Sequence, residues 1–322
     1  MTVPFNLYSL ALLGSFLVAF LSLPLWARWC VRTGHVDDPG HRKIHDQPIP
    51  LAGGLAVFTG LALPVIVGVV VIYFGAGNTA LTHGLSRRAV ELWAIVLGAL
   101  GMTILGVLDD KHELRPAVKF AGQFIIASLV ATAGVRITLF VHNPVFSFAV
   151  TVLWLLTLIN ALNFMDNMNG LCAGLGVIAG WCFAVLAAAS GQYLVALIAL
   201  IVVGALAGYL PHNFPNARAF LGDAGSHLVG YLLAVMAILP HFYTKQNPKP
   251  LAVLAPLLVL AVPLLDLAQV SLGRTLNKKP FWIGDTNHLS HRLTRAGCSR
   301  TLAVLGLWLI AAALGALACW LA

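Results

Sequence analysis

The sequence predicts an all-α, polytopic integral membrane protein with about ten transmembrane helices. Its 322 residues are 60% hydrophobic and 9% charged, a balance that soluble globular domains do not reach. Apolar runs close to the ~20 residues that a helix needs to cross a bilayer recur along the whole chain. A transmembrane β-barrel is excluded, because its strands would show as alternating segments of about ten residues.

The apolar runs divide the chain into ten spans that form one domain over residues 1–322. The weakest boundary lies between spans six and seven, where only Ser190, Gly191 and Gln192 interrupt the apolar sequence. We predict the spans at residues 5–29, 51–74, 91–108, 117–134, 145–162, 172–190, 192–210, 226–241, 251–271 and 301–321.

The positive charges indicate how these helices are oriented. Of the 19 Lys and Arg residues, 14 lie in or beside the loops after the odd-numbered spans, and five lie on the other side. Because basic residues concentrate in cytoplasmic loops, the odd-numbered loops are predicted to be cytoplasmic and both termini external. The net charge of +8 therefore reflects membrane topology, and we predict no nucleic-acid partner.

The acidic residues follow the same division, which topology does not explain. Ten of the 11 acidic residues lie in or beside the predicted cytoplasmic loops, and only Glu91 does not. Acidic residues contribute little to membrane orientation. This concentration of carboxylates therefore predicts an active site formed by the cytoplasmic loops.

Two adjacent acids, Asp109 and Asp110, end the third apolar run. Burial of unpaired carboxylates is costly, so such a pair needs a cation or contact with water. Lys119 and Gln123 are four residues apart and share one face of the next helix. We predict that the aspartates face a magnesium ion and phosphates. The alternative is a structural ion pair with a lysine that reaches toward the membrane surface.

The loop after span five is rich in amides. Asn160, Asn163 and Asp166 recur every three residues and lie near one helix face. Amides offer donors and acceptors together, which suits the reading of a nucleobase or of sugar hydroxyls. The alternative is hydrogen bonding between membrane helices.

The loop after span seven places an acid between glycines. Gly222 and Gly225 flank Asp223 and leave room for a cation and bulky phosphates. Ser226 is predicted to be the N-cap of span eight, and Phe220 is suited to stack on a base. The alternative is a capped turn without a ligand.

The loop after span one contains three candidates for phosphate binding, Arg42, Lys43 and His45. Two prolines and two glycines follow them and shape the entry into span two. The alternative is an ordinary basic loop that sets topology.

The loop after span nine carries a second basic group. His288 and His291 are three residues apart and precede Arg292 and Arg295, a pattern that on a helix would grip a diphosphate. The alternative is an amphipathic segment that lies on anionic lipid. Asp266, near the cytoplasmic end of span nine, is interpreted as part of a structural ion pair or a helix end.

Taken in order, these motifs resemble the polyprenyl-phosphate N-acetylhexosamine-1-phosphate transferases, the WecA/MraY family. The resemblance covers nearly the whole chain, and the motifs occur in family order in the loops predicted to be cytoplasmic. The matching pieces are Arg42-Lys-x-His with Pro-x-Pro-x-x-Gly-Gly, Asp109-Asp110, Lys119, Asn160-x-x-Asn-x-x-Asp-x-x-Asn-Gly, Phe220-x-Gly-Asp-x-Gly-Ser and His288-x-x-His291.

The resemblance implies an enzyme that transfers a sugar-1-phosphate, expected to be GlcNAc-1-phosphate, from a UDP-amino-sugar to undecaprenyl phosphate or a similar polyprenyl phosphate. It would release UMP at the cytoplasmic face of a bacterial inner membrane, in the initiating step of a cell-envelope glycan. Mg²⁺ is the implied cofactor, with Mn²⁺ as the alternative. Single and double displacement both stay open, as does the oligomeric state, for which a homodimer is one option.

The resemblance also implies roles for individual residues. Asp109 matches a proposed base or a residue that positions the acceptor, and Lys119, Asn163 and Asp166 match positions around the metal and the diphosphate. The candidate catalytic residues are Asp109, Asp110, Lys119, Asp166, His288 and His291; the candidate substrate-binding residues are Arg42, Lys43, His45, Asn160, Asn163, Asn169, Phe220 and Arg292; and the candidate metal ligands are Asp110 and Asp223.

Two departures from the family pattern concern the substrate. Asn169 and Phe220 match positions of the uridine pocket, although bacterial members usually have Asp where this chain has Asn169. The motif from His288 to His291 has fewer consecutive histidines than its relatives. This favours the WecA-like branch over the branch that uses UDP-MurNAc-pentapeptide, which stays the alternative donor together with other UDP-N-acetylhexosamines.

A secondary transporter is the competing class of protein. Transporters place acids near the centres of their spans and contain internal repeats. The predicted spans have no central acids, and the sequence shows no repeat. The sequence therefore favours the transferase.

Overall fold

The computed structural model describes residues 5–38, 47–75, 88–138, 141, 143–240, 242, 250–278 and 287–322. Within these ranges the regular structure is helical apart from one two-stranded sheet, which confirms the all-α prediction. The helices are α1 (Phe5–Thr33), α2 (Gly53–Gly75), α3 (Ala89–His112), α4 (Pro116–Thr132), α5 (Pro144–Met165), α6 (Leu171–Ala189), α7 (Tyr193–Tyr209), α8 (Gly222–Met236), α9 (Ala255–Val259), α10 (Ala261–Leu276), α11 (Leu289–Arg295) and α12 (Arg300–Leu321), with 3₁₀ turns at Leu210–His212 and Pro250–Leu254 and strands β1 (Val36–Asp37) and β2 (Ile49–Pro50).

Each of the ten predicted spans overlaps a helix of the structure, but the number of ten membrane-spanning helices is not confirmed. Seven helices in the described ranges are long and apolar enough to cross a membrane, and the bent pair α9–α10 would make an eighth. The other two are short, since α4 has 17 residues and α8 has 15. A helix of 15 residues rises only about 22 Å, less than the ~30 Å hydrocarbon core.

The short helix α8 lies at the centre of the bundle. Every residue from Ala224 to Met236 is buried, and α2, α3, α5 and α6 surround it. Glycines allow this close packing, because in membranes small residues let helix backbones approach one another. A Cβ at Gly230 would lie 2.6 Å from Ile159 Cα on α5, and Gly106 on α3 lies directly against the backbone of Asp223 and Ala224.

The outer helices expose apolar side chains where α8 buries them. On α1, Leu10, Leu13 and Leu21 are exposed, and on α12 Leu309 and Trp320 are exposed. In water such a surface would be unfavourable, but lipid tails are as apolar as leucine. The distribution therefore fits a bundle whose outer surface contacts lipid.

Span nine is broken where the sequence predicted one continuous helix. The helices α9 and α10 meet at an angle of 70° around Leu260. Pro263 lies in the first turn of α10 and lacks the N–H that would bond the carbonyl of Val259 in a continuous helix. The break lets α10 run along α5.

The start of α8 also differs from the prediction. The helix begins at Gly222, and Ser226, predicted as its N-cap, lies inside it. The hydroxyl of Ser226 instead accepts a hydrogen bond from Asn163 Nδ2 at 3.0 Å. The carboxylate of Asp110, on α3, occupies the position of the cap.

The small sheet holds the loop before α8 in place. In it β1 and β2 are antiparallel, with Val36 opposite Pro50. The backbone N–H of Phe220 donates to Pro50 O at 3.0 Å, and Gly53 N–H donates to Phe220 O at 2.9 Å. Phe220 is therefore fixed from both sides at the end of the bundle that carries the polar motifs.

Candidate active site

The carboxylate of Asp110 joins the C-terminal end of α3 to the N-terminus of α8. Its Oδ1 accepts a hydrogen bond from the backbone N–H of Asp223 at 2.7 Å, and its Oδ2 accepts one from Ala224 at 3.1 Å. The first N–H groups of a helix lack partners within it and carry partial positive charge, so a carboxylate is stabilised there. Asp110 thereby fixes the position of Asp223 relative to α3.

Lys119 links the two other acids of this region. Its Nζ lies 2.6 Å from Asp109 Oδ2 and 3.0 Å from Asp223 Oδ2. The other oxygen of Asp109 accepts a hydrogen bond from the backbone N–H of Leu114 at 2.9 Å. An ammonium group therefore lies between an acid of α3 and an acid of α8. We call Asp109, Asp110, Asp223 and Lys119 the acidic cluster.

The helix α5 supplies amides beside the acidic cluster. Asn163 Nδ2 donates a hydrogen bond to Asp223 Oδ1. One turn earlier, Asn160 Nδ2 donates to Gln123 Oε1 at 2.8 Å. This bond joins α5 to α4, as expected if Asn160 links membrane helices instead of binding a nucleobase or a sugar. This bond turns the Gln123 amide so that its Nε2 lies 3.4 Å from Nε2 of the buried His227.

A cavity of about 690 Å³ opens next to the acidic cluster. We call it the loop cavity, because its walls are residues 166–169 after α5, residues 213–217 after α7, and parts of β1, β2, α11 and α12. Gly222, the residue before Asp223, also lines it and connects it to the acidic cluster. Four candidate residues lie in its walls: Asp166, Asn169, Phe220 and His291.

Two titratable groups of the loop cavity have shifted pKa values. Burial, together with the charges of Asp223 and Asp110, raises the pKa of Asp166 to about 8. Burial and the neighbouring imidazole of His288 lower the pKa of His291. At neutral pH the cavity wall therefore presents a mostly protonated carboxyl group and a neutral imidazole.

The short helix α11 is attached to the site at two points. On one side, Asp266 of α10 binds its first residues, with Oδ2 at 2.6 Å from His288 Nδ1 and Oδ1 accepting from the N–H of Leu289 at 2.6 Å. On the other side, Ser290 Oγ donates to Asn167 Oδ1 at 2.6 Å. These contacts place His291 at the wall of the loop cavity.

The acidic cluster has the donor chemistry of a divalent-cation site. Carboxylate oxygens of Asp109 and Asp223 and a ring nitrogen of His227 all lie within 4.8 Å of one another. Carboxylates suit Mg²⁺ and Mn²⁺, so the residues present fit such an ion. The predicted ligand Asp110 directs both oxygens at backbone N–H groups of α8, and its role as a ligand stays a prediction.

Comparison with known proteins places the chain in a family. Residues 92–241 match the model of glycosyl transferase family 4. A probable undecaprenyl-phosphate N-acetylglucosaminyl 1-phosphate transferase of Bacillus subtilis (strain 168) is 32% identical over 93% of this chain and 81% of its own length. The chain belongs to glycosyl transferase family 4.

Other relatives agree with this assignment. A decaprenyl-phosphate N-acetylglucosaminephosphotransferase of Mycobacterium tuberculosis (strain CDC 1551 / Oshkosh) is 34% identical over 88% of this chain and 76% of its own. An undecaprenyl-phosphate alpha-N-acetylglucosaminyl 1-phosphate transferase of Yersinia pestis is 26% identical over 95% and 82%. These matches confirm the resemblance to the WecA/MraY family.

In this glycosyl transferase the structure gathers most of the candidate residues at one end of the bundle. Arg292 is different: it is exposed, its guanidinium donates to Gln269 Oε1 at 2.6 Å, and it is outside the described wall of the loop cavity. Its role stays a prediction. Arg42, Lys43 and His45 lie outside the described residues. The residues brought together are Asp109, Asp110, Lys119, Asn160, Asn163, Asp166, Asn169, Phe220, Asp223, His288 and His291.

Two histidines close to the acids were not predicted from the sequence. His35 is buried with its Nε2 3.9 Å from Asp110 Oδ2, and burial lowers the pKa of this imidazole. His227 lies one helical turn after Asp223, a spacing that places both side chains on one helix face. That spacing was visible in the sequence, whereas the position of His35 depends on how α1 packs.

One further residue at the loop cavity was not predicted as a site residue. Arg300, the first residue of α12, lines it. Asp266 was interpreted from the sequence as part of a structural ion pair or a helix end, and its contacts agree with this: the carboxylate pairs with His288 and accepts from the N–H of Leu289 at the start of α11. The sequence signal for Asp266 was a single acid within an apolar span, which is rare without a function.

Proposed function

We propose that the protein transfers GlcNAc-1-phosphate from UDP-GlcNAc to undecaprenyl phosphate or a similar polyprenyl phosphate and releases UMP. The names of the relatives support the sugar and the lipid. The observation that carries the proposal is the contact between the loop cavity and the acidic cluster at Gly222–Asp223. A nucleotide in the cavity would have its diphosphate next to the carboxylates.

The loop cavity suits a uridine. Asn169 Nδ2 already donates to Pro215 O at 3.1 Å, so its Oδ1 is available to accept from the N–H of a uracil ring. Phe220 is half-buried in the cavity wall and offers an aromatic face for stacking. An asparagine can therefore take the uridine role that other bacterial members give to aspartate.

The acidic cluster suits the diphosphate and its metal. A bound Mg²⁺ or Mn²⁺ would neutralise phosphate charge and stabilise the leaving UMP. Asn163 and Lys119 hold Asp223 from two sides, which fixes the carboxylate that would hold such an ion. Catalysis of this kind depends mainly on positioning and electrostatics.

Asp109 positions the acceptor in this proposal. A phosphate monoester has a second pKa near ~6 and is already largely dianionic at neutral pH, so it needs little help from a base. Asp109 is bound to Lys119 Nζ and to the N–H of Leu114. It therefore holds the lysine that would meet the acceptor phosphate.

We further propose that the protein lies in the inner membrane with these loops in the cytoplasm and both termini outside. Cys298 offers a test, because it is exposed just before α12. A membrane-impermeant maleimide should label it only after intact cells are opened. Labelling of Cys298 in intact cells would contradict this orientation.

The function is tested by measuring UMP release from purified protein with undecaprenyl phosphate. The donors to compare are UDP-GlcNAc, UDP-GalNAc and UDP-MurNAc-pentapeptide, each with and without Mg²⁺. We expect UMP only with UDP-GlcNAc, polyprenyl phosphate and the metal together. Turnover with the pentapeptide donor instead would assign the protein to the other branch, and no UMP with any donor would exclude the reaction.

A further inference from the structure

The carboxylate of Asp266 is completely buried and both of its oxygens are bound to the start of α11. It has no exposed surface, and its partners are the ring of His288 and the backbone N–H of Leu289. A buried acid is expensive unless it is paired and hydrogen-bonded. A buried acid such as Asp266 in an apolar helix therefore indicates a functional role, since acids contribute little to membrane orientation.

The contact determines which nitrogen of His288 carries the proton. A carboxylate accepts hydrogen bonds and offers none, so the 2.6 Å contact requires a proton on Nδ1 of His288. The second nitrogen, Nε2, then faces away from Asp266, and no described residue bonds it. The partner of one ring nitrogen thus sets the chemistry of the other.

His288 lies at the edge of the site. Its ring packs edge-on against Phe164, two residues before Asp166, with 5.6 Å between the centroids. On the other side the ring of His291, which lines the loop cavity, is 6.2 Å away. The His288 side chain is 7% exposed, so its orientation is set by protein contacts and not by water.

We propose that Asp266 is a positioning residue that keeps a proton on Nδ1 of His288 and supports the imidazolium form of the ring, in which Nε2–H donates to a phosphate oxygen of the substrates. This inference rests on the proposed function. Asp266 would also balance the positive charge of the ring whenever Nε2 is protonated and donates to a phosphate oxygen. The arrangement follows the same logic as a carboxylate that orients the histidine of a catalytic triad.

The substitution Asp266→Asn separates positioning from support of the fold. An asparagine can keep both contacts, with Oδ1 accepting from Leu289 N–H and Nδ2 donating to His288 Nδ1. The helix α11 would stay attached, but Nδ1 of His288 would accept from the amide, so the ring would be held neutral with its one proton on Nε2. A structural role predicts little change in activity, whereas a positioning role predicts a loss, because the charged hydrogen bond to the phosphate becomes a neutral one.

Two measurements decide between these roles. Ring-¹⁵N-histidine NMR, with His288→Gln used to assign the signal, should show a protonated Nδ1 in the wild type and a protonated Nε2 in Asp266→Asn. In the UMP assay we expect kcat to fall about tenfold or more, because a neutral Nε2–H donor replaces a charged one, while KM for UDP-GlcNAc changes less than about threefold. Asp266→Glu, which restores a carboxylate, should recover part of the lost kcat.

The matched control is Gln269→Ala, one turn further along α10. Gln269 Nε2 donates to the carbonyl of Asn287, so it binds the same segment without touching the ring of His288. Its removal should leave the ring signals of His288 unchanged. A reversed tautomer with normal kcat in Asp266→Asn, or a loss of kcat without reversal, would overturn the proposal.

The NMR result does not depend on the reaction. If the wild type releases no UMP from UDP-GlcNAc, the proposed function fails while the tautomer measurement still tests the link between Asp266 and His288. If UMP is released but Asp266→Asn behaves like the wild type, only the positioning role fails.

Discussion

The side chain of Asp110 is hydrogen-bonded to the backbone of Asp223. The Oδ1 atom of Asp110 accepts the N–H of Asp223 at 2.7 Å, so the two acids predicted to share a metal ion are already connected without it. The two aspartates of the adjacent pair therefore differ in surroundings. Asp110 anchors α8, while Asp109 faces Lys119 and, through it, Asp223.

Asparagine substitutions at Asp110 and Asp223 should differ in stability. Asp110→Asn loses one acceptor and the negative charge at the N-terminus of α8, and we expect the free energy of unfolding to fall by about 1–2 kcal/mol. Asp223→Asn keeps the backbone N–H bound by Asp110 and an oxygen for Asn163, and Lys119 keeps Asp109 as a partner, so this variant should unfold nearly as the wild type does. Both should reduce UMP release by at least about 10²-fold. Thermal unfolding in detergent and the UMP assay check this, and near-normal turnover in either variant would remove that residue from the site.

Lys119→Met should bind divalent cations more tightly than the wild type while losing activity. The ammonium is within 3.0 Å of oxygens of both Asp109 and Asp223 and repels a cation that shares them. We expect the Mn²⁺ affinity, measured by electron paramagnetic resonance, to rise about tenfold or more. Lys111→Met removes an exposed lysine in the last turn of α3 and is the control. An unchanged or weaker affinity in Lys119→Met would show that the ion binds elsewhere.

Gly106→Ala should disturb the site through packing alone. A Cβ at Gly106 would overlap the backbone of Asp223 and Ala224, so α3 and α8 must separate. We expect a loss of about 1–3 kcal/mol in the free energy of unfolding and a loss of activity, because the acids on the two helices move apart. Gly68→Ala is the control, since nothing lies within 4 Å of a Cβ there. Equal behaviour of the two variants in thermal unfolding would refute the close-packing argument.

The affinity for a divalent cation should rise with pH because of Asp166. Its pKa is about 8, so this carboxyl is mostly protonated below that pH and becomes negative as pH rises through it. A negative charge near the acidic cluster favours a cation, so Mn²⁺ should bind more tightly at about pH 8 than at about pH 6. Asp166→Asn should reduce this difference. The same pH dependence in wild type and Asp166→Asn would assign it to another group.

Arg300→Ala should weaken donor binding more than it slows the reaction. Arg300 lies in the wall of the loop cavity. Its guanidinium can form a charge-assisted hydrogen bond with a phosphate of UDP-GlcNAc. We expect KM for UDP-GlcNAc to rise about tenfold with a smaller change in kcat. Arg32→Ala, an exposed arginine at the end of α1, is the control. A fall in kcat at constant KM would point to a role in the transition state instead.

The membrane fold was predictable because repeated apolar runs of span length are typical of membrane helices and rare in soluble domains. The motifs around Asp109, Asn163 and Asp223 were predictable because polar groups are rare in such a sequence. The break before α10 was missed, since Pro263 also fits a continuous span with a kink. The start of α8 was misplaced at Ser226, because its cap comes from Asp110, more than a hundred residues away in the chain.

The sequence by itself determined the class of fold, the family and the residues that meet at one end of the bundle, because composition and motif order are local properties. Tertiary structure alone decided which contacts each of those residues makes. It set Asp110 on the N-terminus of α8, placed Lys119 between Asp109 and Asp223, and paired Asp266 with His288. Each of these contacts joins different helices, and their geometry follows from how closely the glycines let α3 and α8 approach and from where span nine breaks.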